Sequence, residues 1–363
     1  MTSRICVGPE EPWAIPGRPS RADTPFGRTL TLIFITVFSA RVKIAIVGCG
    51  AVGSYYGAKL AQSGQEVHFL LRSDYETVRR QGVMVHSPLG DFRVHPKSAR
   101  VPQEIGPCDL VVIALKTTAN SAFPTLLPPL VSSATIVLTL QNGLGNEEQL
   151  AHLFPSRQIL GGLCFVCLNR IAPGEVLHLD HGQIVIGDFE GPAQPRTHDL
   201  AAMFKAAGIP CLVSENLARV HWEKLVWNIP FNGLGVASAA GYEAVAAGQV
   251  PQLTAPEPCL TTDRLLADPK WLDLVRELMR EVVVAGRALG HDIDPALVEK
   301  QIHRTKSMGP YKASTLLDFE RGHSLELASL FLEPLRLAQA AGVAVPTMEK
   351  LCRVLRALDP GGG

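Results

Sequence analysis

Gly48-Cys49-Gly50-Ala51-Val52-Gly53 stands directly after the apolar run 42–47 and directly before Ser54-Tyr55-Tyr56-Gly57-Ala58-Lys59-Leu60-Ala61. The β-branched run reads as a buried parallel strand, and Tyr56, Leu60 and Ala61 recur at helical spacing until Gly64 stops the helix. A strand, a tight glycine turn and a helix in that order form the opening of a dinucleotide-binding unit. Gly48 permits the sharp turn, Gly50 lets the backbone approach a pyrophosphate, and Gly53 lets the helix pack against the strand. The amides of Ala51, Val52 and Gly53 then point at the anion from a helix N-terminus. The six residues 48–53 are therefore the expected phosphate-binding loop.

The next strand, residues 66–71, ends in Arg72, where a site for NAD would carry Asp or Glu against the ribose 2′-hydroxyl. A guanidinium pairs well with a 2′-phosphate, so Arg72 points to NADPH/NADP+. Asp74 follows two residues on, and its side chain is expected to turn back toward the same pocket.

At 363 residues and 47% hydrophobic content the chain is long enough for two domains with a large buried core. Its 34 basic and 34 acidic residues cancel and are scattered, which argues against nucleic acid and against a membrane surface and leaves a small molecule as the partner. Eight cysteines lie in apolar surroundings, as reduced thiols do in the cytoplasm. Cys164 and Cys167 form the one CxxC, but on a strand these positions face opposite ways, and no metal is expected. Residues 1–41 read as an extension upstream of the fold, dispensable and without an amphipathic period. Their apolar stretch 30–38 superficially imitates a signal-peptide core, but an exported enzyme would lack NADPH, and Val42 would suit an alternative start.

Downstream, a charged helix is expected over 74–81, then a hairpin of 83–86 with 92–95, then inner parallel strands at 109–115 and 135–140. The last two end in Lys116 and in Gln141-Asn142-Gly143-Leu144-Gly145, at the carboxyl edge where open α/β sheets bind ligands. A meander of 159–168, 175–179 and 183–187 follows, turned at Pro173-Gly174 and at Asp180-His181-Gly182. From Leu217 the pattern is helical. Asp268-Pro269 opens a long helix ending near Gly290, further helices are expected before Gly309, from about Tyr311, and over 325–341 and 348–358, and residues 241–258 read as a loop insertion. The expected organisation is an NADP-binding Rossmann-type domain over 42–215 and an all-helical catalytic domain over 216–358, with the active site between them.

Within the helical half, Lys224, Asn228 and Asn232 drift slowly around one face of a helix whose other face carries Leu225, Val226 and Ile229. Exposed helical faces prefer Glu, Lys and Gln to Asn, a poor helix former, so this stripe reads as a binding surface.

At these residues the chain resembles the ketopantoate reductase (2-dehydropantoate 2-reductase) family. The resemblance runs from Val42 to about Leu358 and rests on five motifs in order. They are the glycine loop, Leu115-Lys116, Asn142 to Gly145, Lys224 with Asn228 and Asn232, and Ser314 twelve residues before Glu326. It implies a 6-phosphogluconate-dehydrogenase-like fold, a homodimer as an open expectation, and NADPH-dependent reduction of 2-dehydropantoate to (R)-pantoate in pantothenate biosynthesis. Lys224 is then the general acid, its pKa lowered by burial and by cations such as Lys116. Asn228, Asn232 and Ser314 bind substrate, and Glu326 binds a substrate hydroxyl or holds Lys224. Asn142 orients substrate and nicotinamide ribose, and Lys116 lies between cofactor and substrate. The sequence departs from the family after Glu326, where Leu327-Ala328-Ser329 stands, and in the long 241–258 segment. A reductase of another 2-keto acid, an opine-type dehydrogenase and a non-catalytic NADPH sensor are the alternatives.

Overall fold

The structure, a computed structural model, describes residues 41–249 and 258–361. The extension expected at the N-terminus therefore lies outside the described residues save for Arg41, as does 250–257 of the expected insertion.

The first half alternates β1 (Lys43–Val47), α1 (Ala51–Gln62), β2 (Glu66–Leu70), α2 (Tyr75–Gln81), β3 (Val83–His86), β4 (Phe92–Val94) and β5 (Lys97–Ala99). It continues through β6 (Leu110–Ile113), α3 (Phe123–Leu126), β7 (Ile136–Thr139), α4 (Asn146–Ala151), β8 (Ile159–Ala172), β9 (Glu175–Asp188), α5 (Pro195–Ala206) and β10 (Cys211–Val213). Six strands in the order β5-β2-β1-β6-β7-β8 are mutually parallel, the doubly wound arrangement that the glycine loop predicts. Beyond β8 the sheet adds β9 antiparallel to it, then β3 and β4, while β10 also pairs with β9.

The apolar runs make this sheet because both of its faces are covered. Ile44 and Ile46 pack with Tyr56, Leu60 and Phe69 on one face, while Ala45 and Val47 pack with Val111, Ile113 and Phe123 on the other. Each large side chain so buried contributes about 1.5–3 kcal/mol relative to exposure. The turn after β1 needs glycine for a physical reason: Gly48 has φ +102°, and a Cβ there would lie 2.3 Å from the backbone nitrogen of Leu115.

One expected turn is absent. Asp180-His181-Gly182 does not separate two strands, because β8 and β9 form one hairpin of 14 residues a side, turned at Pro173-Gly174. His181 (φ 65°) and Gly182 (φ 130°) instead sit at a β-bulge opposite Phe165 and Val166, which absorbs left-handed residues without ending the ladder.

The second half contains α6 (Leu217–Ala237), α7 (Tyr242–Ala247), α8 (Thr262–Ala267), α9 (Pro269–Ala288), α10 (Leu297–Thr305), α11 (Ser314–Glu320), α12 (Glu333–Ala340) and α13 (Pro346–Leu358). Its core centres on α6 and α9, with Leu225, Val226 and Ile229 against Val275, Leu278, Met279 and Val282. Asp268 caps α9 by accepting from the Lys270 amide at 2.8 Å, and Asn216 caps α6 through the Arg219 amide at 2.9 Å. Three expectations shift. The helix expected near Tyr311 begins at Ser314, the expected insertion carries α7, and the helix expected from 325 is a π-helical turn, Ala328–Leu332, before α12. Pro334 lacks an amide, so it fits only within the first turn of α12 and divides the two segments. No helix among the described residues is long and apolar enough to cross a membrane.

Candidate active site

Because β1, β6 and β7 are adjacent and parallel, the segments that leave their carboxyl ends lie side by side. These are the glycine loop 48–53, Leu115-Lys116 and Gln141-Asn142. The loop's shape fits a pyrophosphate. Gly48 is pressed against Leu115, whereas a Cβ at Gly50 would meet nothing within 4 Å, so the backbone there faces open space at the N-terminus of α1. Arg72, just beyond β2, is exposed and forms no ion pair among the described residues. Asp74 is not turned toward that side as expected; it is buried against Arg170 of β8.

Lys224 reaches the same edge from α6. Its Nζ donates to Asn142 Oδ1 at 2.8 Å and lies 5.4 Å from the centre of the Phe165 ring. Burial pushes the Lys224 pKa below the usual lysine value, while the Cys164 thiol and the Glu326 carboxylate act in the opposite sense. This corrects the expected cause: Lys116 is not among the groups that lower it, since the Lys116 charge is matched by carboxylates of its own. Burial alone sets the direction.

The polar stripe of α6 is not a solvated face, since Asn228 and Asn232 are both buried. Asn232 Nδ2 donates to Asn228 Oδ1 at 3.4 Å. Asn232 Oδ1 accepts from the Thr315 amide at 3.1 Å and from Ser314 Oγ at 3.4 Å, which brings Ser314 to the stripe and uses Asn232 to hold the start of α11. The Asn228 amide nitrogen has no protein acceptor among the described residues, so it is the freer of the two carboxamides.

Of the two roles expected of Glu326, the hold on Lys224 is not made. Glu326 Oε2 accepts from Lys116 Nζ at 3.3 Å and its Oε1 from the Thr117 amide at 2.8 Å, tying the segment after β6 to the helical half. Asp318 completes that tie, accepting from Lys116 Nζ at 2.8 Å. Burial alone would lower the Lys116 pKa, but Glu326 and Asp318 more than offset it and raise it above the usual value. The two lysines are thus held in opposite electrostatic states: one half-buried against a neutral carboxamide, the other fixed as a cation by two carboxylates.

The sequence reading missed Asp318, Phe165 and Thr117. Asp318 was accessible in principle, because it lies one helical turn after Ser314 on the same side of α11. Phe165 carries no such signal inside an apolar run. Cys164 and Cys167 are free thiols, and among the described residues no group of three or more His, Cys, Asp or Glu could hold a metal ion.

A doubly wound sheet with a glycine phosphate loop, and a half-buried lysine of lowered pKa at the carboxyl edge, define a dinucleotide-dependent oxidoreductase. The model of "Ketopantoate reductase PanE/ApbA" matches residues 44–191, and that of its C-terminal domain matches 251–359. The chain belongs to the ketopantoate reductase PanE/ApbA family and is an oxidoreductase. It is 40% identical over 327 residues to the 2-dehydropantoate 2-reductase of Nostoc sp., covering 87% of this chain and 95% of that one. The crystal structure of 2-dehydropantoate 2-reductase from Geobacter metallireducens matches with a TM-score of 0.79 at 44% identity, over 87% of this chain and 99% of the other. A D-mandelate dehydrogenase solved with NADH and anilino(oxo)acetate shares the fold, with a TM-score of 0.74 at 20% identity over 87% and 98% of the two chains.

Proposed function

We propose that this chain reduces 2-dehydropantoate to (R)-pantoate with NADPH, a step of pantothenate biosynthesis carried out in the cytoplasm. The observation that carries the reading is the Lys224–Asn142 hydrogen bond of 2.8 Å, which joins the helical half to the carboxyl edge of the sheet beside the glycine loop. When bound, the nicotinamide supplies the hydride for the substrate's carbonyl carbon. Lys224 Nζ donates the proton that the carbonyl oxygen takes up, and its lowered pKa makes that proton easier to release than from an ordinary lysine. Asn142 fixes the direction of the ammonium and orients the nicotinamide ribose and the substrate. Asn228, with its amide nitrogen free, hydrogen-bonds the substrate, and Asn232 and Ser314 complete that wall. Lys116 stands between cofactor and substrate, where Glu326 and Asp318 hold it charged. Glu326 also offers a carboxylate to the substrate hydroxyl. The Gly48–Gly53 loop holds the pyrophosphate, and Arg72 pairs with the 2′-phosphate.

The same chemistry on a different 2-keto acid is the second reading, supported by the π-helical turn Ala328–Leu332 that follows Glu326 and bonds through Ser329 to Thr117 and to the Leu144 amide, close to Lys116 and Asn142 in the chain. Oxidation of NADPH measured against a panel of 2-keto acids tests both. The highest kcat/KM is expected for 2-dehydropantoate. Faster turnover of another acid would replace the substrate, and cofactor binding without turnover of any would overturn the enzymatic reading in favour of a sensor. Sedimentation of the purified protein tests the expected homodimer.

A further inference from the structure

The rim of the nucleotide site contains a carboxylate that ought to oppose a phosphate. Asp74 lies two residues after Arg72, and a carboxylate near the end of β2 is the group that favours a ribose hydroxyl over a 2′-phosphate. In this fold it is sequestered. Asp74 is 6% exposed, and Arg170, three residues before the hairpin turn of β8 and β9, grips it with two parallel bonds: Nη2 to Oδ1 at 2.5 Å and Nε to Oδ2 at 3.1 Å. The turn itself adds the Gly174 amide to Oδ2 at 3.2 Å, and Ser73 Oγ donates to Oδ1 at 2.9 Å. Four donors thus occupy both oxygens.

The surroundings make this placement consequential. Burial raises the Cys49 thiol pKa, and the charge of Asp74 raises it further, so Asp74 acts on the glycine loop itself. The other acid that follows β2, Glu76, is paired with Arg100 at 2.7 Å and with Arg79 at 3.6 Å. Both carboxylates at this rim are therefore neutralised by arginines, while Arg72 has no acidic partner among the described residues. A bidentate arginine pair is a strong and directional way to fix a carboxylate.

We propose that Arg170 is a specificity-determining residue for the cofactor: by holding Asp74 against the hairpin turn, it keeps the rim free of uncompensated negative charge and leaves Arg72 to bind a 2′-phosphate. The inference rests on the NADPH reading above. It assigns a residue from the hairpin's far end, nearly a hundred positions from Arg72 in sequence, to the choice between two cofactors that differ by one phosphate.

Arg170→Ala should lower the ratio of kcat/KM for NADPH over NADH by about tenfold, as expected for an added like charge near a phosphate at the protein surface. Arg170→Lys should restore part of the ratio, and Arg170→Ala combined with Asp74→Asn should restore most of it, because the asparagine has no charge to release. An equal fall in the double variant would mean that Arg170 contacts the phosphate directly and would overturn the proposal. An unchanged ratio in a folded Arg170→Ala would also overturn it. Should Arg170→Ala fail to fold, Arg170→Gln, which keeps a donor but removes the charge, is read by the same two outcomes. Arg72→Ala separates this inference from its foundation. A lowered ratio with Arg72→Ala but not with the Arg170 variants refutes Arg170 alone, no change with Arg72→Ala shows that Arg72 does not read the phosphate, and a wild-type ratio that favours NADH refutes the NADPH reading.

Discussion

Lys224→Ala removes the ammonium that joins the two halves of the site at Asn142. No other lysine can replace it, because Lys116, the other ammonium at this edge, is held by Asp318 at 2.8 Å and Glu326 at 3.3 Å. The full contribution of a general acid should therefore be lost: kcat falls by about 10² to 10⁴, or about 2.7 to 5.4 kcal/mol in barrier height. The Kd for NADPH should change by less than about threefold, since only a neutral carboxamide loses its partner there. Stopped-flow turnover with 2-dehydropantoate and fluorescence titration of NADPH separate the two effects. The pH dependence has a definite sign. A general acid works protonated, so wild-type kcat declines as pH rises through the Lys224 pKa, and burial starts that decline below the ordinary lysine range. The Ala variant should lose this limb. Stability follows from the same depression: between the lowered folded pKa and the ordinary value, the unfolded chain binds more protons, so stability rises with pH in that window. Lys224→Met should flatten that rise. Wild-type kcat in Lys224→Ala, or a fall in NADPH affinity as large as the fall in kcat, would refute the assignment of Lys224 as proton donor.

Arg72→Ala should reduce kcat/KM for NADPH by about tenfold or more with little change for NADH, as steady-state kinetics with both cofactors would reveal. Gly50→Ala and Gly48→Ala should part company: Gly50 faces open space, so its variant keeps the wild-type melting temperature but raises the KM for NADPH. Gly48→Ala combines φ +102° with a contact of 2.3 Å to Leu115 and should lose more than about 3 kcal/mol of stability in urea unfolding. Glu326→Ala leaves the Thr117 amide without its acceptor and should cost about 1–3 kcal/mol, most of it recovered in Glu326→Gln, which keeps an oxygen for that amide.

The sequence alone determined the dinucleotide fold and the family, because the signals for both are local. A β-branched run, glycines at fixed offsets and a helical stripe act within about 20 residues, and each has one conformation that satisfies it. Lys224, Asn228 and Asn232 were legible for the same reason, since three polar residues at helical spacing beside an apolar face mark a surface that must meet something. What each group meets was decided by the tertiary structure. Lys116 finds Asp318 at a separation of 202 residues and Glu326 at 210, and Arg170 finds Asp74 at 96. Such pairs depend on how α11 docks on the sheet edge and on how far the β8–β9 hairpin runs before it turns, neither of which has a periodic trace in the chain. The misread turn at Asp180-His181-Gly182 shows the limit in one place: residues that favour left-handed backbone occur in both turns and bulges. The long ladder on either side, formed only when β8 and β9 pair, made this one a bulge.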